Sequence, residues 1–326
     1  MVSESVPLIE LLKETEGSLL ILTHENPDGD ALGSAMALYL FLRKKGKNVT
    51  IGCKDRVPHF LDFIPHCSEV VSLPDGKFYD LGIIVDSAGF YRAGADVKVG
   101  KRIRIDHHVG GEFYGMYDYI DPRAPATASL VYELIKCWDA SSIDEEIATC
   151  IYAGLATDTG FFRYSNTTEY TFEVAKELVK YGASPHYVYR MFSERESVNK
   201  MKLISKVLDT LTLYEDGLVA GITIYDRFFK ETGTDYADSE GLVNYPRSLE
   251  GVEVAFALIE KPDEGVWKVS LRSKVEADVS KIAERLGGGG HKYASGCKIK
   301  AKSYEDALET LLKEIKKQIE LQKIGV

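Results

Sequence analysis

Residues Thr23 to Ser34 read T-H-E-N-P-D-G-D-A-L-G-S, and seven of them, 24 to 30, carry one imidazole and two aspartates: His24, Asp28 and Asp30. A Pro-Gly loop is neither regular helix nor strand, so side chains at this spacing can converge on one point. Histidine with carboxylates suits Mn²⁺, Co²⁺, Fe²⁺ or Mg²⁺ rather than a thiolate-bound structural zinc. The competing reading is an Asx turn leading into a helix N-cap, with the acids satisfying backbone N–H groups. Two further segments weigh against it. L-G-I-I-V-D-S ends in Asp86, and R-I-R-I-D-H-H ends in Asp106, His107 and His108. A lone Asp after an apolar strand is usually a cap or turn former, but acids terminating successive buried parallel strands all arrive at one sheet edge, where open α/β sheets bind ligands. The spacing also puts Asp158, in T-D-T-G, on a turn after a helical stretch, able to fold back over that edge. Four such carboxylates in one place repel one another strongly, and two divalent cations neutralise them. Two ions about 3.5–4 Å apart can lower the pKa of a water and clamp a phosphoryl group during in-line attack.

The elements that must position these residues alternate in the first ~185 residues between β-branched runs and helical patterns, the mark of βαβ units and a parallel sheet. Strands are predicted at Leu19–Thr23, Val49–Cys53, Leu81–Val85 and Arg102–Ile105. Helices are predicted at Ala31–Lys45, where Leu32, Met36, Leu40 and Phe41 share a face, and at Ala126–Trp138, Asp144–Ala156 and Thr168–Tyr181. The pattern changes after a polar stretch of helical periodicity, Pro185–Leu211. Strand-like runs follow at Leu218–Tyr225, Val252–Glu260 and Val266–Arg272, then a helix, a glycine-rich turn, another strand and a helix from Tyr304 to about Gln322. The fold class predicted is α/β: a doubly wound parallel-sheet domain over 1–185, a helical linker over 186–211 and a smaller α+β domain over 212–326. No internal repeat is visible.

Composition narrows the function classes. The chain of 326 residues suits two domains, and 28% charged residues with no apolar run longer than a strand exclude a membrane-spanning helix. A net charge of −10 disfavours tight binding to duplex nucleic acid, which depends on cationic neutralisation of phosphates. Five cysteines without a C-x-x-C pair, and early acidic residues in place of a basic n-region, predict a reducing cytoplasm.

H-E-N-P-D-G-D, V-D-S, D-H-H and T-D-T-G-F-F-R-Y-S resemble, in this order and spacing, the DHH phosphoesterase family. V-S-L-R-S (Val269–Ser273) and G-G-G-G-H-K-Y-A-S-G (Gly287–Gly296) resemble the DHH-associated C-terminal domain, DHHA1, so the resemblance spans nearly the whole chain. It implies one ion held by His24, Asp28 and Asp86, and a second by Asp30, Asp86, His107 and Asp158, with Asp86 bridging. It further implies His108 facing the substrate phosphate, Asp106 orienting the histidines from behind, and Mn²⁺ as the metal. Four consecutive glycines are usually a flexible linker. Here they lie between a helix and a strand and run into His291, which suits a close approach of backbone to a ligand phosphate; the resemblance implies that Arg272 and His291 then grip a nucleotide, with Ser273 and Gly289 nearby. Arg104 is either a phosphate contact or an outward-facing strand residue and is not assigned to the site.

Length and domain content resemble the stand-alone nano-RNase/pAp phosphatase group, which also contains cyclic di-AMP phosphodiesterases. That implies hydrolysis of cyclic di-AMP, pApA, 3′-phosphoadenosine 5′-phosphate (pAp) or two- to five-nucleotide RNA to nucleoside monophosphates, and a homodimer. An inorganic pyrophosphatase or exopolyphosphatase shares the N-terminal motifs and is the alternative.

Overall fold

The computed structural model describes residues 2–323; the side chains of residues 2–4 and of His291 lie outside the described part. The chain divides into two compact units, Met1–Arg195 and Glu196–Val326.

In the first unit the elements run α1 (Val2–Glu14), β1 (Leu19–Leu22), α2 (Gly29–Lys44), β2 (Val49–Cys53), β3 (Val71–Ser72), β4 (Phe78–Val85), β5 (Lys98–Asp106), β6 (Tyr119–Ile120), α3 (Thr127–Asp139), α4 (Glu145–Asp158), α5 (Glu169–Lys180) and α6 (Pro185–Ser193). The six strands form one parallel sheet in the order β3-β2-β1-β4-β5-β6. A central parallel strand is covered on both faces and needs no polar alternation. β1 accordingly reads L-L-I-L with all four residues buried. Leu19 and Ile21 enter the main core with Leu81, Ile83 and Val85, whereas Leu20, Leu22 and Ile84 enter a smaller one with Leu73, Tyr79 and Phe90. The strand order reverses between β1 and β4, and at such a switch point the loops leaving adjacent strands part and open a crevice.

Close helix packing supports that crevice. A Cβ on Gly33 of α2 would lie 2.5 Å from the Cys150 carbonyl of α4, and one on Gly154 would lie 2.9 Å from Oδ1 of Asp30. Only glycine lets α4 approach α2 and Asp30 this closely. α4 also runs further than its sequence pattern suggests. Asp158 is its last residue and stands in the final helical turn, not on a turn beyond it.

The second unit contains α7 (Val198–Leu208), β7 (Thr212–Tyr214), β8 (Val219–Ile224), α8 (Asp226–Thr232), α9 (Asn244–Arg247), β9 (Val254–Lys261), β10 (Val266–Ser273), α10 (Val279–Arg285), β11 (Gly289–His291), β12 (Ala294–Ile299) and α11 (Tyr304–Gln322). Its sheet runs β11-β12-β10-β9-β8-β7 and is antiparallel except for the β8–β9 pair. One core joins Val269 and Leu271 to Ile282 of α10 and Leu311 and Ile315 of α11; another joins Ala220 and Ile222 to Leu203 and Val207 of α7 and Phe228 of α8. The stretch 185–211 thus contains two helices, with Val188 of α6 in the main core of the first unit and Leu203 of α7 in a core of the second.

Candidate metal centre

The loop after β1 carries His24. Its Nδ1 lies 2.8 Å from the carbonyl oxygen of Glu25. A carbonyl only accepts, so Nδ1 holds the proton and Nε2 is left with its lone pair, the arrangement a metal-binding histidine needs. Asp28 is the N-cap of α2, and its Oδ1 accepts from the N–H groups of Asp30 and Ala31 at 3.1 and 3.0 Å. The Asx-turn reading of the motif is therefore correct as far as it goes, since the cap occupies one oxygen of Asp28 and leaves the other for a cation.

Asp30 enters the interior, 1% exposed. Its Oδ2 accepts from Thr127 N at 2.6 Å, and its Oδ1 from Ala128 N at 2.8 Å and the Ser34 hydroxyl at 3.1 Å. α3 has no side-chain cap of its own at Ala126. Asp30 caps it from nearly a hundred residues away, and the helix dipole in turn favours the carboxylate charge.

Asp86 follows β4 in the left-handed region, φ +52°. Aspartate tolerates that conformation better than most residues. Its N–H donates to the Ile105 carbonyl at 2.9 Å, and its Oδ1 accepts from the Thr127 hydroxyl at 2.8 Å. Beyond β5, His107 Nδ1 lies 3.1 Å from the Ala124 carbonyl. His107 Nε2 then lies 3.6 Å from Asp86, 3.7 Å from Asp158 and 3.9 Å from Asp30. Asn166 steadies Asp158, its amide donating to Asp158 Oδ2 at 3.3 Å and to the Pro125 carbonyl at 2.9 Å.

Among the described residues three overlapping sets result: His24, Asp28 and Asp86; Asp30, His107 and Asp158; Asp86, His107 and His108. Within each, one ligand atom per residue lies within 4.8 Å of the others. Asp86 belongs to two sets and His107 to two. Burial raises the carboxyls of Asp30, Asp86 and Asp158 above the ordinary range, Asp86 and Asp158 well above it, with Asp30 and Asp28 adding to the effect on both. Among the described residues no Lys or Arg forms an ion pair with Asp28, Asp30, Asp86 or Asp158. Imidazole nitrogens and carboxylate oxygens converging without a cationic side chain fit a pair of divalent ions.

Behind this cluster stands a second device. Asp106 is fully buried, and its Oδ1 accepts from His108 Nδ1 at 2.7 Å and from His108 N at 3.1 Å. Its Oδ2 pairs with Arg104, whose Nε lies at 2.9 Å and whose Nη2 also contacts it. Burial opposes the charge on Asp106, but bonds from His108 and Arg104 outweigh it and hold the carboxyl at about 2. Burial likewise opposes protonation of His108, and Asp106 overrides it, so the imidazole stands above its ordinary value.

Two expectations from sequence change here. Asp106 orients His108 alone, because His107 is held by the Ala124 carbonyl. Arg104 faces neither solvent nor substrate; it is 1% exposed and donates to the carbonyls of Ser87 at 2.8 Å, Gly110 at 2.6 Å and Glu112 at 3.1 Å. Sequence reasoning assigns no site role to Thr127, Ser34, Asn166 or Arg104. Thr127 opens α3 after the N-cap Ala126, and a threonine at the start of an apolar helical run is the one signal that marks any of them.

The second unit brings some of its candidates together. Across β10, β12 and β11, Arg272 pairs with Ala294 and Ala294 with His291; Ser270 pairs with Gly296 and Gly296 with Gly289. Arg272 and His291 thus share one row and Gly289 lies two residues along, while the His291 side chain is outside the described residues. Ser273 departs from expectation. It is 1% exposed and its hydroxyl donates to the Ala277 carbonyl at 2.7 Å, which ties down the turn after β10 instead of presenting a ligand contact.

The chain is similar to known proteins over nearly its whole length. Residues 18–155 match the DHH family N-terminal domain and residues 217–321 the DHHA1 domain. A bifunctional oligoribonuclease and PAP phosphatase, NrnA, of Thermus thermophilus is 35% identical over 95% of this chain and 93% of its own. The cyclic-di-AMP phosphodiesterase PdeA of Listeria monocytogenes is 25% identical over 95% of this chain and 49% of its own. The crystal structure of an exopolyphosphatase-related protein from Bacteroides fragilis has a TM-score of 0.91 at 26% identity, covering 99% of this chain and 98% of that one. No described helix is long and apolar enough to cross a membrane. The chain belongs to the DHH family of phosphoesterases, with a DHH domain followed by a DHHA1 domain.

Proposed function

We propose that the protein is a Mn²⁺-dependent phosphodiesterase that hydrolyses short nucleotides, namely oligoribonucleotides of two to five residues, pApA and cyclic di-AMP, to nucleoside monophosphates, and that also converts pAp to AMP. The observation that carries the chemistry is the crossing of the donor sets at Asp86 and His107. The substrate class is supported by the similarity to the Thermus thermophilus oligoribonuclease and PAP phosphatase.

His24, Asp28 and Asp86 hold one divalent ion in this reading, and Asp30, Asp86, His107 and Asp158 the other, with Asp86 shared. Bound there, the two ions supply Lewis acidity at the phosphoryl group and a water activated for in-line attack. The chain's own residues do the rest. The N-terminus of α3 and the Ser34 hydroxyl fix Asp30. Asp106 turns the His108 ring and keeps it protonated at higher pH than an ordinary imidazole, so that His108 serves as a charged donor to phosphoryl oxygen. In the second unit, the row containing Arg272 and His291, with Gly289 nearby, holds the nucleotide.

The test offers cyclic di-AMP, pApA, pAp, a five-nucleotide RNA and pyrophosphate separately to purified protein with Mn²⁺, and resolves the products by chromatography. AMP from pAp and the adenine dinucleotides, nucleoside monophosphates from the RNA, and intact pyrophosphate are expected. Cleavage of pyrophosphate alone would overturn the reading in favour of a pyrophosphatase or exopolyphosphatase.

A further inference from the structure

Asp86 is the carboxylate on which the two-ion reading depends, and its surroundings are hostile to it. It is 3% exposed, in left-handed backbone, and faces Asp30, Asp28 and Asp158. The two histidine nitrogens nearest to it lie at 3.6 and 3.7 Å, beyond hydrogen-bond distance. Among the described residues one donor reaches its carboxylate: the hydroxyl of Thr127, 2.8 Å from Oδ1. Thr127 is itself fully buried at the first position of α3, and its N–H donates to Asp30 Oδ2 at 2.6 Å. One residue therefore touches a carboxylate from each of the two proposed ion sites, through backbone to Asp30 and through side chain to Asp86.

We propose that Thr127 is a positioning residue, whose hydroxyl fixes the rotation of the Asp86 carboxylate where the two donor sets that share Asp86 meet. The inference rests on the two-ion reading above. Serine and threonine hydroxyls rotate to suit their acceptor, so the hydroxyl is required and the methyl group is not. Valine keeps the shape of threonine without a donor. The carboxylate then has nothing to hold it against its neighbours while the first ion arrives. Loss of such a supporting hydrogen bond costs on the order of 10–100-fold in metal affinity or activity.

Thr127→Val, Thr127→Ser and wild type are compared as full-length protein. Mn²⁺ binding is measured by calorimetry without substrate, turnover of pApA is resolved into kcat and KM, and thermal unfolding is followed alongside. The expected result is a Mn²⁺ affinity in Thr127→Val reduced about tenfold or more and kcat reduced similarly, with KM little changed and Thr127→Ser within about threefold of wild type. Wild-type Mn²⁺ affinity in Thr127→Val would overturn the proposal, and so would equal losses in the Val and Ser variants, which would indicate packing alone. Should Thr127→Val not fold, Thr127→Ala takes its place against Thr127→Ser under the same criteria. The calorimetry also separates this proposal from the functional one. A wild type that binds Mn²⁺ but leaves the nucleotides intact overturns the substrate reading, while the affinity comparison still decides the role of Thr127.

Discussion

At the scale of single residues, Asp86 and Asp106 have opposite needs although both terminate parallel strands. Asp86 lies among carboxylates with, among the described residues, one neutral hydrogen-bond donor, an arrangement relieved by cations. Substitution Asp86→Ala should lower turnover by at least about a thousandfold, some 4 kcal/mol of barrier, and weaken binding of both ions in calorimetry. Near-normal turnover would remove Asp86 from the centre. Asp106 is satisfied by protein groups alone, an Arg104 guanidinium and a His108 imidazole. Asp106→Asn should therefore leave ion binding close to wild type. It strips the buried Arg104 of its counter-charge, a loss of roughly 3–5 kcal/mol in stability. Denaturant unfolding measures that loss directly, and an unchanged midpoint would mean that Arg104 finds compensation in the carbonyls of Ser87, Gly110 and Glu112.

At the scale of elements, the run Gly287–Gly290 shows how fold and ligand divide a motif between them. Gly287 has φ +75° just beyond α10, and Gly288 N–H bonds back to the Ala283 carbonyl, a helix-terminating turn. A Cβ on Gly288 would lie 2.2 Å from the Gly296 carbonyl, and one on Gly290 2.5 Å from the Ser295 Cα. A Cβ on Gly289 would meet nothing within 4 Å among the described residues. Three glycines thus serve turn geometry or the close pairing of β11 with β12, and one serves neither. Gly289→Ala should fold with stability within about 0.5 kcal/mol of wild type and raise KM for nucleotides, whereas Gly288→Ala should lower the melting temperature. Wild-type KM in Gly289→Ala would take this glycine out of the substrate site. The convergence of His24, Asp28, Asp30, Asp86, His107 and Asp158 and the long elements were legible in the sequence because both rest on local patterns: apolar runs such as L-L-I-L, and acids where those runs stop. Two-residue β3 and β6 carry too few residues for a period. The roles of Thr127 and Arg104 were hidden for a different reason. Thr127 meets Asp86 across 41 positions, and Arg104, placed between two isoleucines of β5, gains its meaning only when the loop carrying Gly110 and Glu112 folds over it. T-D-T-G looks like a turn, yet α4 extends to Asp158 as its last residue and the turn begins only after it.

At the scale of the molecule, the candidate centre draws on many elements at once: the loops after β1, β4 and β5, the first turns of α2 and α3, and the last turn of α4. Without cations their carboxylates repel, so the ends of these elements are held against a local electrostatic cost; with cations the same groups become cross-links. Binding to the folded state alone adds about 2.7 kcal/mol at an ion concentration a hundredfold above Kd. The six proposed ligands all belong to the first unit, whereas the second has its own cores, built on β8, β9, β10 and β12. Amide hydrogen exchange on the full chain, with Mn²⁺ and with a chelator, should separate the two. Peptides containing residues 24–32, 86–88, 106–108 and 127–131 should exchange more slowly with Mn²⁺, by up to about a hundredfold where exchange requires unfolding of the first unit, and peptides from β9, β10 and β12 should not respond. Uniform slowing across both units would mean that the ions act on one cooperative whole. No slowing around residues 24–32 would mean that the convergence of His24, Asp28 and Asp30 is a capped turn and nothing more, which was the alternative reading of the same residues from the start.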